Sequence, residues 1–442
     1  MQSGKRLLSL FDFTMIMISL VIGMGIFRTP VNVANAVDTP LLFLAVWLAG
    51  GLVAVCGALT YAEIGSRYPV TGGYYKIFSY AYHPSIAFGV NGIILISNAA
   101  SLAGVALIGA EYLTGVLWPN QDAGYAKLGI AIFAVLLFYG VNLLGLKMSA
   151  RVQNVLMLIK IGMILFLILP LFTSSLQPIT WSSAITERQS TGWEMIQAFG
   201  IGLIAVSFTY GGYQQSINFG AEIQDARKNL PRGILLGLLV IIGLYIWINY
   251  AYVRVLGWEQ LRNSENIAAR MAEAVLGERG GQVLSMLLFL SVLAYVNVLL
   301  MSNPRVMAAM SEDGILPAAF GQRHPRSQVL VTGLTAFASL CVVIVYWAKT
   351  FDEVLSFSIF LDCFGMVLSA ATLFVLRKRT AHLNGTGIYQ QALYPLMPII
   401  FILAYTLVGI SIAVSKPQTA ITGTIILLVF TGLYFVLQRW KK

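Results

Sequence analysis

Apolar stretches of roughly 20 residues, the length that crosses a bilayer, recur about twelve times in this chain of 442 residues. In hydrocarbon every backbone amide and carbonyl has to be bonded inside the protein, so runs of this length read as membrane helices. The spans fall at about 9–36, 40–65, 85–117, 126–146, 150–173, 192–219, 231–256, 280–310, 328–348, 353–376, 391–414 and 419–438. Loops are short and no low-complexity linker divides the chain, so the expectation for 1–442 is an all-α membrane protein in one transmembrane domain. The first run is too long for a signal-peptide core and has no cleavage site, so it reads as an uncleaved span.

Composition decides what the chain is not. Residues are 58% hydrophobic and only 10% charged, against about 25% charged in soluble domains. A net charge of +10 would point to nucleic acid in a soluble protein, but here the basic residues sit at span ends, where the positive-inside rule accounts for them. Cys56, Cys341 and Cys363 lie in separate apolar runs without CxxC spacing, and His83, His324 and His382 are scattered in loops. No phosphate-cradling GxxxxGK[ST] loop occurs. The sequence therefore predicts no cofactor, no metal, no enzyme and no direct use of ATP, and it names no partner subunit.

With the N-terminus inside, the inner loops collect Lys5, Arg6, Arg67, Lys76, Lys147, Arg151, Arg227, Lys228, Arg232, Arg305, Arg323, Arg326, Arg377, Lys378 and Arg379, and the C-terminal tail adds Arg439, Lys441 and Lys442. The outer side has fewer, several balanced by nearby Glu or Asp, as between Trp258 and Arg279. That asymmetry predicts a multi-pass cell-membrane protein with both termini in the cytoplasm.

Two spans interrupt themselves. The first carries Gly23-Met24-Gly25, and the sixth carries Phe208-Thr209-Tyr210-Gly211-Gly212. Each glycine weakens a helix by ~1 kcal/mol and frees the backbone for other angles. Broken membrane helices at matching places in two halves are the best sequence pointer to a transporter's substrate site. Gly25 and Gly211 are about five spans apart, and an odd number of spans inverts the second copy. The expectation is a 5+5 inverted repeat, about 9–173 and 192–376, plus two extra helices over about 391–438. Glycines serving only close helix packing are the alternative, but the spacing here is GxG and GG rather than GxxxG.

Four motifs in order carry a resemblance. Gly23-Met24-Gly25-Ile26-Phe27 is similar to a GSGIF unwound segment, with Met24 in place of Ser. Tyr61-Ala62-Glu63-Ile64, Arg67-Tyr68-Pro69 and Thr71-Gly72-Gly73-Tyr74 resemble YAELG, RYP and SGGEY. The sixth-span motif runs on to Glu222-Ile223 and Arg227-Lys228-Asn229-Leu230-Pro231-Arg232, and Asn297, Arg305 and Ala309 to Pro317 resemble an eighth-helix pattern. These resemble the amino acid–polyamine–organocation (APC) superfamily, above all its L-type amino-acid transporter-like permeases, whose fold is of the LeuT type. The resemblance implies a secondary amino-acid transporter, an exchanger or a proton-linked permease, working by alternating access without sodium in a lipid bilayer.

The residues support a site of that kind. The helix resuming after Gly25 points its amide end at the gap, where it suits a carboxylate, while carbonyls at Val21-Ile22 suit an ammonium. Symmetry offers carbonyls around Ser207-Phe208 and amides around Gly211-Gly212. Ile22, Gly23, Met24, Gly25, Phe208, Thr209, Gly211 and Asp362 are therefore the expected substrate-binding residues. The resemblance makes Phe208 an aromatic gate. It also makes Lys160 the fifth-helix lysine whose ammonium stands in for sodium, with carbonyls of the first break and Ser291 or Ser285 as partners. A charge at the bilayer centre costs ~3 kcal/mol on insertion scales, so Asp362 in the tenth span needs a role as well. Paired with Arg28 it would latch the outer gate, with Asp352 or Glu353 as competing partners for Arg28. Unpaired, it would favour a cationic substrate or carry a proton. Alternatives are a polyamine or cationic amino-acid permease, an ion cotransporter of the same superfold, and a subunit or sensor without flux. Glu63, Glu222 and Asp225 with Arg67, Arg227 and Arg305 are expected as inner-face ion pairs. Ser9 with Asp12 is expected as a helix cap, and Pro231 as the first turn of the seventh helix after Asn229.

Overall fold

A computed structural model of the chain describes residues 7–118, 124–173, 176–178, 192–264, 266–347 and 351–439. The first span is two half-helices, α1 (Leu10–Val21) and α2 (Gly25–Ala36). Ser9 caps α1 in a capping box: its hydroxyl accepts from Asp12 N at 3.2 Å, and Asp12 Oδ2 accepts from Ser9 N at 3.1 Å. Next come α3 (Pro40–Arg67), α4 (Gly73–Ala81), α5 (Pro84–Leu117), α6 (Gly124–Leu143), α7 (Leu146–Ile168) and the single turn α8 (Pro170–Thr173). Proline opens both α3 and α5, where its missing N–H costs nothing, behind Thr39 and His83 as caps.

The second half holds α9 (Gly192–Tyr210), α10 (Ala226–Ala251), α11 (Trp258–Arg262), α12 (Ile267–Leu276), α13 (Glu278–Glu312), α14 (Val331–Trp347), α15 (Phe351–Arg379), α16 (Leu396–Ser415) and α17 (Pro417–Arg439). Among the described residues ten helical spans, α1 and α2 counted as one, are long and apolar enough to cross a membrane, and two shorter apolar helices lie within α9 and α14, which matches the twelve spans of the sequence. Among the described residues there is no strand, only isolated bridges. α5 is almost wholly buried and α17 almost wholly exposed, so α5 is the axis of the bundle and α16–α17 flank it. Leu403, Leu407, Ile410, Ile421, Ile425 and Leu428 face outward there, a surface suited to lipid chains rather than water.

The sixth span is interrupted where its glycines lie: α9 stops at Tyr210 and a 3₁₀ helix occupies Tyr213–Asn218. Gly212 forces that break, with φ at +111° and its α-carbon against the Leu20 carbonyl, where a side chain would collide. α10 begins at Ala226, not at Pro231, with Asp225 as its N-cap residue. Pro231, inside the helix, cannot bond the Arg227 carbonyl four residues back, and the Ser66 hydroxyl takes that carbonyl at 2.8 Å. Asn229 is no cap; its amide bonds the Gln224 carbonyl at 2.6 Å. Finally, α4, α11 and α12 are unmarked in the sequence reading. They are short helices between spans: α4 lies against α5 and α15, and α11 and α12 lie over α2.

Candidate substrate site

At the first break the chain turns within three residues, Gly23 N donating to Val21 O at 2.8 Å. α2 then starts at Gly25; Phe27 N bonds the Met24 carbonyl at 3.1 Å, which leaves the amides at the very start of the helix without a carbonyl one turn earlier. They form the positive end of a helix dipole inside the bundle. Gly25 is also a contact point: a β-carbon there would stand 2.8 Å from Thr209 Oγ1 and 2.9 Å from its methyl group. Backbone freedom and close packing, read from the sequence as alternatives, coexist at this one residue.

The carbonyl side of the break is already occupied. Lys160 is buried on α7, and its Nζ donates to Ile22 O at 2.5 Å. The ammonium seated on this carbonyl is therefore the protein's own, and Ile22, although at the break, does not line the cavity. The expected serine partners are not there. Ser291 is buried with an unpartnered hydroxyl, and Ser285 turns back to the Gly281 carbonyl at 3.0 Å and lines a separate vestibule.

The second break is filled in the same way. Ending α9 at Tyr210 strips the carbonyls of Ser207 and Thr209 of their helical partners. Tyr405 on α16 donates to Ser207 O at 3.4 Å, and Tyr245 on α10 donates to Thr209 O at 3.3 Å. Gly212 N donates to Gln214 Oε1 at 2.9 Å. Of the groups expected to meet a zwitterion at this break, the Ser207 carbonyl and the Gly212 amide are bonded by side chains that the sequence did not mark. The side chain of Phe208 lies outside the described residues, and so do those of Asp352 and Glu353.

The two breaks open on one cavity of about 60 Å³. Gly23, Met24, Gly25, Thr209, Gly211 and Asp362 line it, together with Gly212, Asn98, Ser101, Gln214, Gln215, Tyr295, Met366 and Tyr405. Asp362 on α15 accepts from the Ser97 hydroxyl of α5 at 3.0 Å. No lysine, arginine or histidine is among the described lining residues. Asn98 and Gln215 pair their amides, with Gln215 Nε2 to Asn98 Oδ1 at 2.7 Å, and Asn98 donates on to Asn303 at 2.7 Å. Ser101 and Tyr295 hydroxyls meet at 2.9 Å. None of these polar residues stood out in the sequence, because single amides and hydroxyls in apolar helices carry no spacing signal.

Arg28 does not meet Asp362. It lines a separate vestibule of about 730 Å³ with Glu111, Tyr112, Ser264 and Glu273. The reason is depth: Arg28 sits one turn beyond the cavity-lining Gly25, while Asp362 is held among the cavity groups by Ser97.

The opposite end is closed by charge and by backbone. Glu222 is buried against Arg305 at 3.2 Å and Arg323 at 3.4 Å, and its carbonyl accepts from both Leu7 N and Leu8 N. Glu63, fully buried, bonds Arg67 at 2.8 Å and Arg377 at 2.7 Å. Glu63–Arg67 and Glu222–Arg305 are the pairs the sequence anticipated; Arg323 and Arg377 are additions.

A family model described as amino acid permease matches residues 8–437. The serine/threonine exchanger SteT of Bacillus subtilis (strain 168) is 30% identical over 417 residues, covering 91% of each chain. The human Asc-type amino acid transporter 1 is 25% identical over 99% of this chain and 83% of its own length. The human large neutral amino acids transporter small subunit 2 is 26% identical over 99% of this chain and 81% of its own.

Proposed function

The chain belongs to the amino acid permease family, and on that footing we propose that it exchanges small, polar amino acids across the cell membrane by alternating access around the cavity between its two breaks. It is a secondary amino-acid transporter and not an enzyme. The observation that carries the finer reading is that two self-interrupted helices face one small cavity with polar side chains in its wall. The substrate's carboxylate lies on the amide end of α2. Its side chain points to Asp362, whose carboxylate accepts a hydrogen bond from a hydroxyl or amide. About 60 Å³ is on the order of five times the ~10–15 Å³ that one water needs, a scale that favours small side chains over aromatic ones. Lys160 supplies the cation at the first break, so transport runs without sodium. The 5+5 inverted repeat, both termini in the cytoplasm, and a lipid belt around α16 and α17 complete this reading.

Proteoliposomes test it. Labelled serine enters faster with serine inside than without, and replacing sodium by choline leaves the rate unchanged. Uptake that collapses in choline would overturn the role given to Lys160. A second reading, a permease for cationic amino acids or polyamines, is favoured by the carboxylate of Asp362 in a cavity without described basic residues. Asp362→Asn separates the two: under the first reading serine exchange falls and cationic substrates stay excluded. Loss of ornithine or putrescine uptake with neutral uptake kept would establish the second.

A further inference from the structure

We propose that the carboxamide of Gln153 is the clasp that holds the inner half-helix α1 shut, and that the seam it closes is the one that parts when the transporter opens inward. The two faces of α1 are built differently. Toward α10 the packing is apolar and close: Phe13 lies against Gly233 and Met17 against Gly237, positions where a β-carbon would collide. Toward α7 and α13 hydrogen bonds are interleaved with apolar side chains such as Ile16 and Met157. Asn154 donates to Asp12 Oδ1 at 2.6 Å, Gln153 donates to the Ser19 hydroxyl, and Lys160 donates to Ile22 O at 2.5 Å. These three rungs run along α1 from its first turn to the break.

Gln153 is the rung with two ends. Its Nε2 holds Ser19, and its Oε1 accepts from Asn297 Nδ2 of α13 at 2.7 Å. Asn297 in turn accepts from Asn142 of α6 at 2.8 Å, and Ser19 donates to Ala294 O at 3.3 Å. One carboxamide thus ties the half-helix to two helices of the surrounding bundle. All four side chains are buried and bonded to one another.

A seam that alternates between dry and wet has to be stable both ways. Opening an apolar face to water loses the hydrophobic term in proportion to the area exposed. Opening a self-satisfied polar face exchanges protein hydrogen bonds for water ones at small net cost. The interface of α1 with α10 is of the first kind and stays together. The interface with α7 and α13, where hydrogen bonds hold both ends and the middle of α1, has more of the second kind and is the one that separates.

The proposal rests on the transport cycle above, but its main test reads the protein without substrate, while wild-type flux tests the cycle itself. Hydrogen–deuterium exchange on the full chain in lipid nanodiscs compares wild type with Ser19→Ala and Gln153→Met. Both variants should exchange residues 10–22 about tenfold faster, with α5 unchanged. In transport, the ratio of outer to inner half-saturation concentrations should rise about tenfold, because unclasping favours the inward-open state; a merely structural role moves both sides alike. Should Gln153→Met not fold, Ser19→Ala, which removes only the α1 end of the clasp, decides alone. Unchanged exchange over 10–22, or equal acceleration in α5, overturns the proposal.

Discussion

At the scale of single residues, the sequence exposed glycines and charges but not what stands opposite them. Gly25 was readable as a helix breaker, yet its closeness to Thr209 was not, since nothing in either motif gives the distance between two helices. Gly212 carries the strained angle that the sequence reading shared between Gly211 and Gly212, and only the Leu20 carbonyl beside it shows why. Tyr405, Tyr245 and Gln214 are invisible in the same sense: a tyrosine in an apolar helix reads as packing until a stripped carbonyl is found at its hydroxyl. The Gly25 geometry makes a test. Gly25→Ala puts a methyl group onto Thr209, an overpacking of about 1–3 kcal/mol, so substrate affinity should fall roughly 5- to 150-fold. Adding Thr209→Ala removes the colliding atoms and should restore much of the loss. Isothermal titration of purified single and double variants reads both steps. No recovery in the double variant would mean that the glycine acts through its own backbone alone.

Elements were legible where periodicity and length are strong, and illegible where contacts join distant segments. The twelve spans and both breaks follow from hydropathy and glycine, whereas α4 and α11 are too short to announce themselves. Pro231 has the pattern of a first-turn residue, but the Ser66 hydroxyl, by taking the Arg227 carbonyl, makes it tolerable inside α10. Glu63 shows the long-range limit. Arg67, one turn on, was visible, but Arg377 on α15 is 314 positions away, and it makes two bonds of 2.7 Å to the same carboxylate. Glu63→Gln would leave two guanidinium groups around a neutral amide. Breaking a buried ion pair from one side costs about 3–5 kcal/mol, so a clear fall in melting temperature in detergent is expected. An unchanged melting temperature would show the hub to be dispensable for stability. A second tie, α4 to α13, responds to pH. Burial raises the carboxyl of Asp313, but hydrogen bonds from Lys76 and Ser79 outweigh it and hold the group below its ordinary value of 3.8. A depressed carboxyl stabilises the fold above its unfolded value, and that contribution fades as pH falls through the folded one. The gap in melting temperature between wild type and Asp313→Asn should therefore be constant from pH 7 to about pH 5 and close only below the ordinary value. A gap closing near pH 6 would assign the tie to another group.

For the whole molecule, the arrangement is two cavities in series above a sealed end: the vestibule at Arg28, the cavity between the breaks, and then Glu222 with Arg305 and Arg323. Nothing in the residue pattern tells these compartments apart. Arg28 and Asp362 both lie within apolar spans, so pairing them relieved two costs at once, but a one-dimensional reading assigns each residue a depth and not a compartment. The structure provides Asp362 with a neutral donor, Ser97, and puts Arg28 in the vestibule. In the proposed cycle the two residues act at different stages, Arg28 on entry into the vestibule and Asp362 on the bound substrate. A double-mutant cycle on kcat/KM with Arg28→Ala and Asp362→Ala should give losses that add within about 0.5 kcal/mol, as for sites without shared partners. A coupling energy above about 1 kcal/mol would show that the cycle brings the two together at some step, and the gate across helices α2 and α15 would stand after all.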